Sequence, residues 1–210
     1  THMLNETQIG GFLLTAVLLT ATPGPDNLMV LSMGISGGRR SGIAFGLGCA
    51  VGCLSHTVLA VVGISAILAA SPTAFMLLKW AGGAYLLWLG IQALRHAGTG
   101  HVPSGSAHRK SLRSLFLQGL IANAINPKVV LFFLSFLPQF VVESQGQVEW
   151  QLGWLGLLFS LQAAILFGLL GYFSGAIGLW LSRRPAAGRW LDRVAGVIFM
   201  ALGARMVISR

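Results

Sequence analysis

Asp26 and Lys128 are opposite charges in otherwise apolar surroundings, and each directly follows a proline. The first lies in Thr22-Pro23-Gly24-Pro25-Asp26-Asn27, the second in Asn123-Ala124-Ile125-Asn126-Pro127-Lys128. Ionisable groups inside apolar segments are expensive and face a cavity or a partner. A carboxylate and an ammonium so placed can bind the two charged ends of a zwitterionic amino acid. They can equally form a salt bridge that fastens two parts of the chain, and an unloaded pair would neutralise itself. Asn27, Asn123 and Asn126 add amide donors and acceptors, or cap broken helices, where asparagine is favoured. Tyr85 and Gln162 are polar candidates for a cavity wall or for bonds between helices. His56 can pass protons near neutral pH, with Asp26 as its acidic counterpart, or can hydrogen-bond a neighbouring helix.

Other chemistries are poorly supported. Cys49, Cys53 and His56 fall at i, i+4 and i+7 on one helix face. That spacing could hold a soft metal and is the basis of an alternative reading as a transition-metal or cadmium exporter. Small buried cysteines are also ordinary packing residues, so no metal site is expected. A thiol–disulfide role needs cysteines able to bridge, whereas one helical turn separates Cβ atoms by about 5–6 Å, beyond the disulfide range. No Gly-rich phosphate loop, HExxH or supported Ser/His/Asp set occurs. The chain therefore reads as no enzyme, with no cofactor, and any uphill transport must draw on an ion gradient.

The elements that position these residues are membrane helices. Of 210 residues, 55% are hydrophobic and 9% charged, against about 25% charged in soluble domains. Crossing a bilayer takes about 20 mainly apolar residues. Six spans are expected: Ile9–Ile35, Gly42–Ala69, Ala74–Leu94, Leu115–Val141, Leu152–Leu181 and Leu191–Ile208. Proline removes a backbone donor and clashes with the preceding turn, so Pro23, Gly24, Pro25 and Pro127 break spans one and four. The broken spans should face each other near the midplane. Lys79, near the end of span three, should snorkel to the surface. Trp150, Trp154, Trp180 and Trp190 read as interfacial anchors.

The net charge of +9 follows from membrane topology, with no call for nucleic acid. Ten of the fourteen Lys and Arg residues flank alternate connectors: Arg39, Arg40, Arg95, Arg109, Lys110, Arg113, Arg183, Arg184, Arg189 and Arg193. The positive-inside rule puts those connectors in the cytoplasm and both termini outside. Aligning Leu78–Leu94 with Leu191–Val207 pairs Gly83 with Gly196 and Gly90 with Gly203, while Pro25 pairs with Pro127. This predicts an all-α integral membrane protein with two inverted three-helix repeats, a single domain over 1–210. Repeat one covers about 4–95, a cytoplasmic connector about 96–113, and repeat two about 114–210. Thr1 and His2 read as a cloning remnant.

At these residues the chain resembles the LysE/RhtB family of bacterial amino-acid exporters. The resemblance rests on Pro23-Gly24-Pro25-Asp26-Asn27-Leu28-Met29-Val30, His56, Lys79-Trp80-Ala81-Gly82-Gly83-Ala84-Tyr85-Leu86 with Leu89-Gly90, and Asn126-Pro127-Lys128. It implies secondary active export of amino acids or their derivatives across the bacterial inner membrane, driven by the proton motive force. The substrates it implies range over basic amino acids, homoserine, threonine, leucine and cysteine. The expected partners are an amino acid, protons and lipid, and six spans are compatible with a homodimer.

Overall fold

The computed structural model describes residues 4–97 and 110–208, all of its regular structure helical. The chain runs through α1 (Glu6–Ala21), α2 (Pro25–Gly37), α3 (Arg39–Leu59), a π-helical turn at Ala60–Ile64, α4 (Ser65–Ala70) and α5 (Pro72–Arg95). It continues as α6 (Leu112–Ala124), α7 (Pro127–Leu131), a π-helical stretch at Phe132–Phe136, a 3-10 turn at Leu137–Phe140, α8 (Val148–Tyr172), α9 (Ser174–Arg183) and α10 (Pro185–Ile208). His101, His108, Arg109 and most of the expected connector lie outside the described residues, as do Thr1, His2 and Arg210.

Local chemistry sets the ends of these helices. Asn5 and Gln8 form a reciprocal capping box that starts α1, satisfying two otherwise orphaned donors. Thr22 is driven to extended backbone by the proline after it and closes α1 at φ −64°, ψ 123°. Pro25 and Pro127 each occupy the first turn of the following helix, where the missing N–H costs nothing. Gly38 turns the chain between α2 and α3 at φ +84°, a left-handed value suited to glycine.

Among the described residues, three helical stretches are long and apolar enough to cross a membrane: Arg39–Ile67, Pro72–Arg95 and Val148–Tyr172. The pair Leu112–Ala124 and Pro127–Phe140 makes a fourth when taken as one span bent by 49°. That is fewer than the six expected. The 16-residue α1 reaches only about 24 Å at 1.5 Å per residue, short of a bilayer core. The α10 helix carries Arg189, Asp192, Arg193 and Arg205. Lys79 also departs from expectation, because protein encloses it to 8% exposure instead of leaving it at a surface. The four tryptophans expected as anchors are exposed.

Helix α3 is the centre of the bundle, packed between α6 and α8. Gly48 and Gly119 bring α3 and α6 together. A Cβ at Gly48 would overlap the Phe116 carbonyl oxygen, and one at Gly119 the Phe45 carbonyl oxygen. Helices α5 and α10 form a second close pair, in which Gly83 meets the Gly203 carbonyl and Gly90 the Gly196 carbonyl. The order of those contacts makes the two helices antiparallel. Phe12, Phe132, Phe133, Phe136, Phe140 and Phe159 form a continuous ring cluster with neighbouring centroids 4.9–6.1 Å apart. Beside it, Gln8 donates to Gln151 Oε1 at 3.0 Å and to the Phe140 carbonyl, while Gln151 holds both the N–H and the carbonyl of Val142. These two buried glutamines fasten the 3-10 turn that ends the fourth span to α1 and α8.

Candidate functional site

The two helix breaks meet around one small cavity. Its walls are Leu19, Thr20, Asp26, Asn27, Cys53, Asn123, Asn126, Lys128, Val129, Phe159 and Phe167. Five of the six residues expected to bind substrate are therefore neighbours, although Asn27 and Asn123 are 96 positions apart in sequence. All five are buried, at 9% exposure or less. The sixth, Tyr85, is half-buried on α5, with its ring against Trp88 at 5.5 Å, and does not line the cavity. The cavity volume is about 20 Å³, on the scale of a single water. An amino acid can enter only if the walls part.

Each charged group is set against a helix pole of opposite sign. Asp26 is in the first turn of α2, where a partial positive charge gathers. Lys128 is in the first turn of α7, but its side chain reaches across to the first break, where its Nζ donates to the Thr22 carbonyl at 3.1 Å. That carbonyl belongs to the negative, C-terminal end of α1. Asp26 Oδ2 accepts from Asn123 Nδ2 at 2.8 Å. Each break thus supplies the partner for the charge on the other. No direct ion pair joins Asp26 to Lys128, contrary to the expectation that the unloaded pair would neutralise itself, because a backbone carbonyl and an amide hold them separately. Lys128 Nζ also lies 5.2 Å from the Phe199 ring centroid.

The remaining polar groups secure backbone groups that the breaks release. Asn27 Nδ2 donates to the Thr20 carbonyl at 2.8 Å. Asn126 caps α7 by accepting from the Lys128 N–H at 3.1 Å. His56 Nε2 lies 3.0 Å from the Asn123 carbonyl, an acceptor-only group, so this nitrogen carries a proton and donates it. His56 is thereby linked to Asp26 through the Asn123 backbone and side chain. Asn123 Oδ1 is buried and has no hydrogen-bond partner, which leaves an acceptor beside the Asp26 carboxylate. Cys53 lines the cavity, and its thiol donates to the Cys49 carbonyl at 3.5 Å. Among the described residues no group of three His, Cys, Asp or Glu side chains could hold a metal ion, so Cys49, Cys53 and His56 are not gathered into a ligand set.

Several wall residues were not anticipated. Thr20 has a weak signal, a hydroxyl one turn before a proline break. Phe159 and Phe167 are indistinguishable in sequence from lipid-facing rings. Gln162 was a polar candidate, and its Nε2 donates to Thr20 Oγ1 at 2.8 Å.

The sequence profile of LysE type translocators matches residues 17–210, from within α1 through α10 and across both breaks. The chain belongs to the LysE type translocator family. This translocator is 32% identical over 199 residues to the homoserine/homoserine lactone efflux protein of Salmonella typhimurium, covering 95% of each chain. It is 29% identical to the threonine efflux protein of Escherichia coli over 92% of its own length and 94% of the relative's. A membrane protein of Vibrio cholerae is 31% identical over 95% of the translocator and 96% of that chain. With these bacterial relatives and its own apolar helices, the translocator is a bacterial membrane protein. No solved structure matches it significantly.

Proposed function

We propose that this translocator exports a zwitterionic amino acid, or a close derivative, across the bacterial inner membrane in exchange for protons. The observation that carries this reading is a buried cavity with one carboxylate and one ammonium, set where two helix breaks meet. The substrate ammonium would replace Asn123 at Asp26 and take the free Asn123 Oδ1. The substrate carboxylate would draw Lys128 from the Thr22 carbonyl. One zwitterion thus satisfies both charges, and an empty carrier can close without exposing either to hydrocarbon, which would cost a few kcal/mol or more. Asp26 is the group at which a proton competes with the substrate ammonium, and His56, joined to it through Asn123, is the second proton-carrying group. The efflux relatives, whose names specify homoserine and threonine, support an uncharged side chain.

The architecture proposed for this activity is a single domain with six spans in two inverted three-helix repeats, spans one and four broken near the midplane. The α5–α10 contact supports it. If α5 and α10 are related by a two-fold axis that maps Gly83 to Gly196 and Gly90 to Gly203, the observed Gly83–Gly203 contact maps onto the observed Gly196–Gly90 contact. Cations concentrated in alternate connectors support both termini lying outside. In a background without Cys49 and Cys53, a cysteine at Gln145 should then react with an impermeant thiol reagent in intact cells, and one at Ser104 should not. The reverse pattern would overturn the orientation.

Proteoliposomes containing the purified protein test the transport reading. L-Homoserine should move against its gradient when a proton gradient is imposed and stop when an uncoupler dissipates it. Absence of proton-dependent movement for every amino acid tried would reject the proposal.

A further inference from the structure

We infer that Thr20 and Gln162 form the specificity-determining pair of this site and read a hydroxyl on the substrate side chain, an inference that rests on the amino-acid export reading. Among the described residues, Asp26 is the one acid and Lys128 the one base that line the cavity. A zwitterion occupies both, so a charged side chain would lack a counter-charge. The side chain must instead meet the rest of the wall, which includes Leu19, Thr20, Cys53, Val129, Phe159 and Phe167. Asn27 and Asn126 also line it, but Asn27 is held by the Thr20 carbonyl and Asn126 by the Lys128 N–H; the rest is apolar apart from Thr20 and the Cys53 thiol.

Thr20 is fixed from two directions. Its carbonyl accepts from Asn27 Nδ2, and its hydroxyl oxygen accepts from Gln162 Nε2 at 2.8 Å. Because that oxygen is already accepting, the Thr20 proton is available to a further acceptor. Gln162 lies in α8 between Phe159 and Phe167 in sequence; those two rings line the cavity, whereas Gln162 is not in its wall and is joined to it through Thr20, so a substrate reaches it only when the walls part. Its Oε1 is buried without any hydrogen-bond partner, and the residue is 8% exposed. In either orientation of the amide, one end is bonded to Thr20 and the other is unpaired.

A buried amide with half its capacity unused is costly, and a ligand that completes it recovers that cost. A hydroxyl suits the pair because it both donates and accepts: it can accept from Thr20 and donate to Gln162. An isosteric methyl group leaves both unsatisfied while gaining little from an already apolar wall. Sites built around such hydrogen bonds discriminate far more sharply than sites that measure size alone.

L-Homoserine and L-norvaline test the pair, because they differ only in a terminal hydroxyl against a methyl group. Calorimetry on the purified protein should give a Kd at least about tenfold lower for L-homoserine. Gln162→Met and Thr20→Val should each cut that ratio to below about threefold, mainly by weakening homoserine. Equal affinity of the wild-type protein for both ligands overturns the pair and leaves amino-acid export intact, and this outcome needs no folded variant. Retention of the full ratio by both variants, folded by thermal unfolding, also overturns it. If the wild-type protein binds neither ligand nor any other amino acid, the export reading falls together with the pair.

Discussion

The two breaks carry the same proline-plus-charge pattern but are held in different ways. At the second, between α6 and α7, Asn126 closes its own helix by accepting from the Lys128 N–H two residues on. One outside donor, His56 of α3, secures the Asn123 carbonyl. At the first break, Gly24 precedes α2 with no side-chain cap, and the freed carbonyls depend on residues farther away. Thr20 takes Asn27 from the next half-helix, and Thr22 takes Lys128 from the other break. The second break is therefore locally built, whereas the first is completed by tertiary contacts. A carrier can use that difference: a substrate carboxylate that draws Lys128 away loosens the first break while the second keeps its cap.

The largest effect should come from the two charges. Asp26→Asn and Lys128→Met should each reduce proton-driven homoserine transport in proteoliposomes to background while the protein stays folded and inserted. The charge-exchanged double variant, Asp26→Lys with Lys128→Asp, should not recover it, because the helix poles keep their sign when the side chains reverse. Near-normal transport by the double variant would identify the two charges as a structural lock.

His56 comes next and sharpens the account of the second break. Gln can place an amide donor near the Nε2 position, whereas Phe cannot. His56→Phe should strip the Asn123 carbonyl of its inter-helix donor and leave it the Asn126 N–H at 2.9 Å, costing about 0.5–1.5 kcal/mol and roughly 2–4 °C in Tm for each kcal/mol. If His56 acts by positioning, His56→Gln retains proton-coupled transport; if it relays protons, coupling is lost in both variants although His56→Gln stays stable.

The smallest expected difference tests the comparison directly. Asn126→Ala removes a local cap worth about 1 kcal/mol. Asn27→Ala leaves the Thr20 carbonyl without its buried side-chain donor, at about 1–3 kcal/mol. Thermal unfolding in one detergent should rank Asn27→Ala below Asn126→Ala, and Asn126→Ser should restore most of the lost stability. Equal Tm values for the two alanine variants would remove the distinction between a locally built and a tertiary break.

The sequence by itself determined where the two proline breaks fall and where the charges lie, but not the interruption of the expected span Leu152–Leu181 at Phe173. Proline and glycine act on the backbone of their own turn, so Thr22–Gly24 and Ile125–Asn126 were legible as interruptions without knowledge of any neighbour. An ionisable residue in an apolar run announces itself for the same reason, which is why Asp26 and Lys128 stood out. Only the tertiary structure decided who meets whom. It put Lys128 on the Thr22 carbonyl instead of on Asp26, left Tyr85 outside the cavity, enclosed Lys79, and turned Phe159, Phe167 and Thr20 into walls. Those outcomes depend on how helices distant in sequence pack and on which partner satisfies each freed carbonyl. Side-chain spacing along one helix carries no record of either.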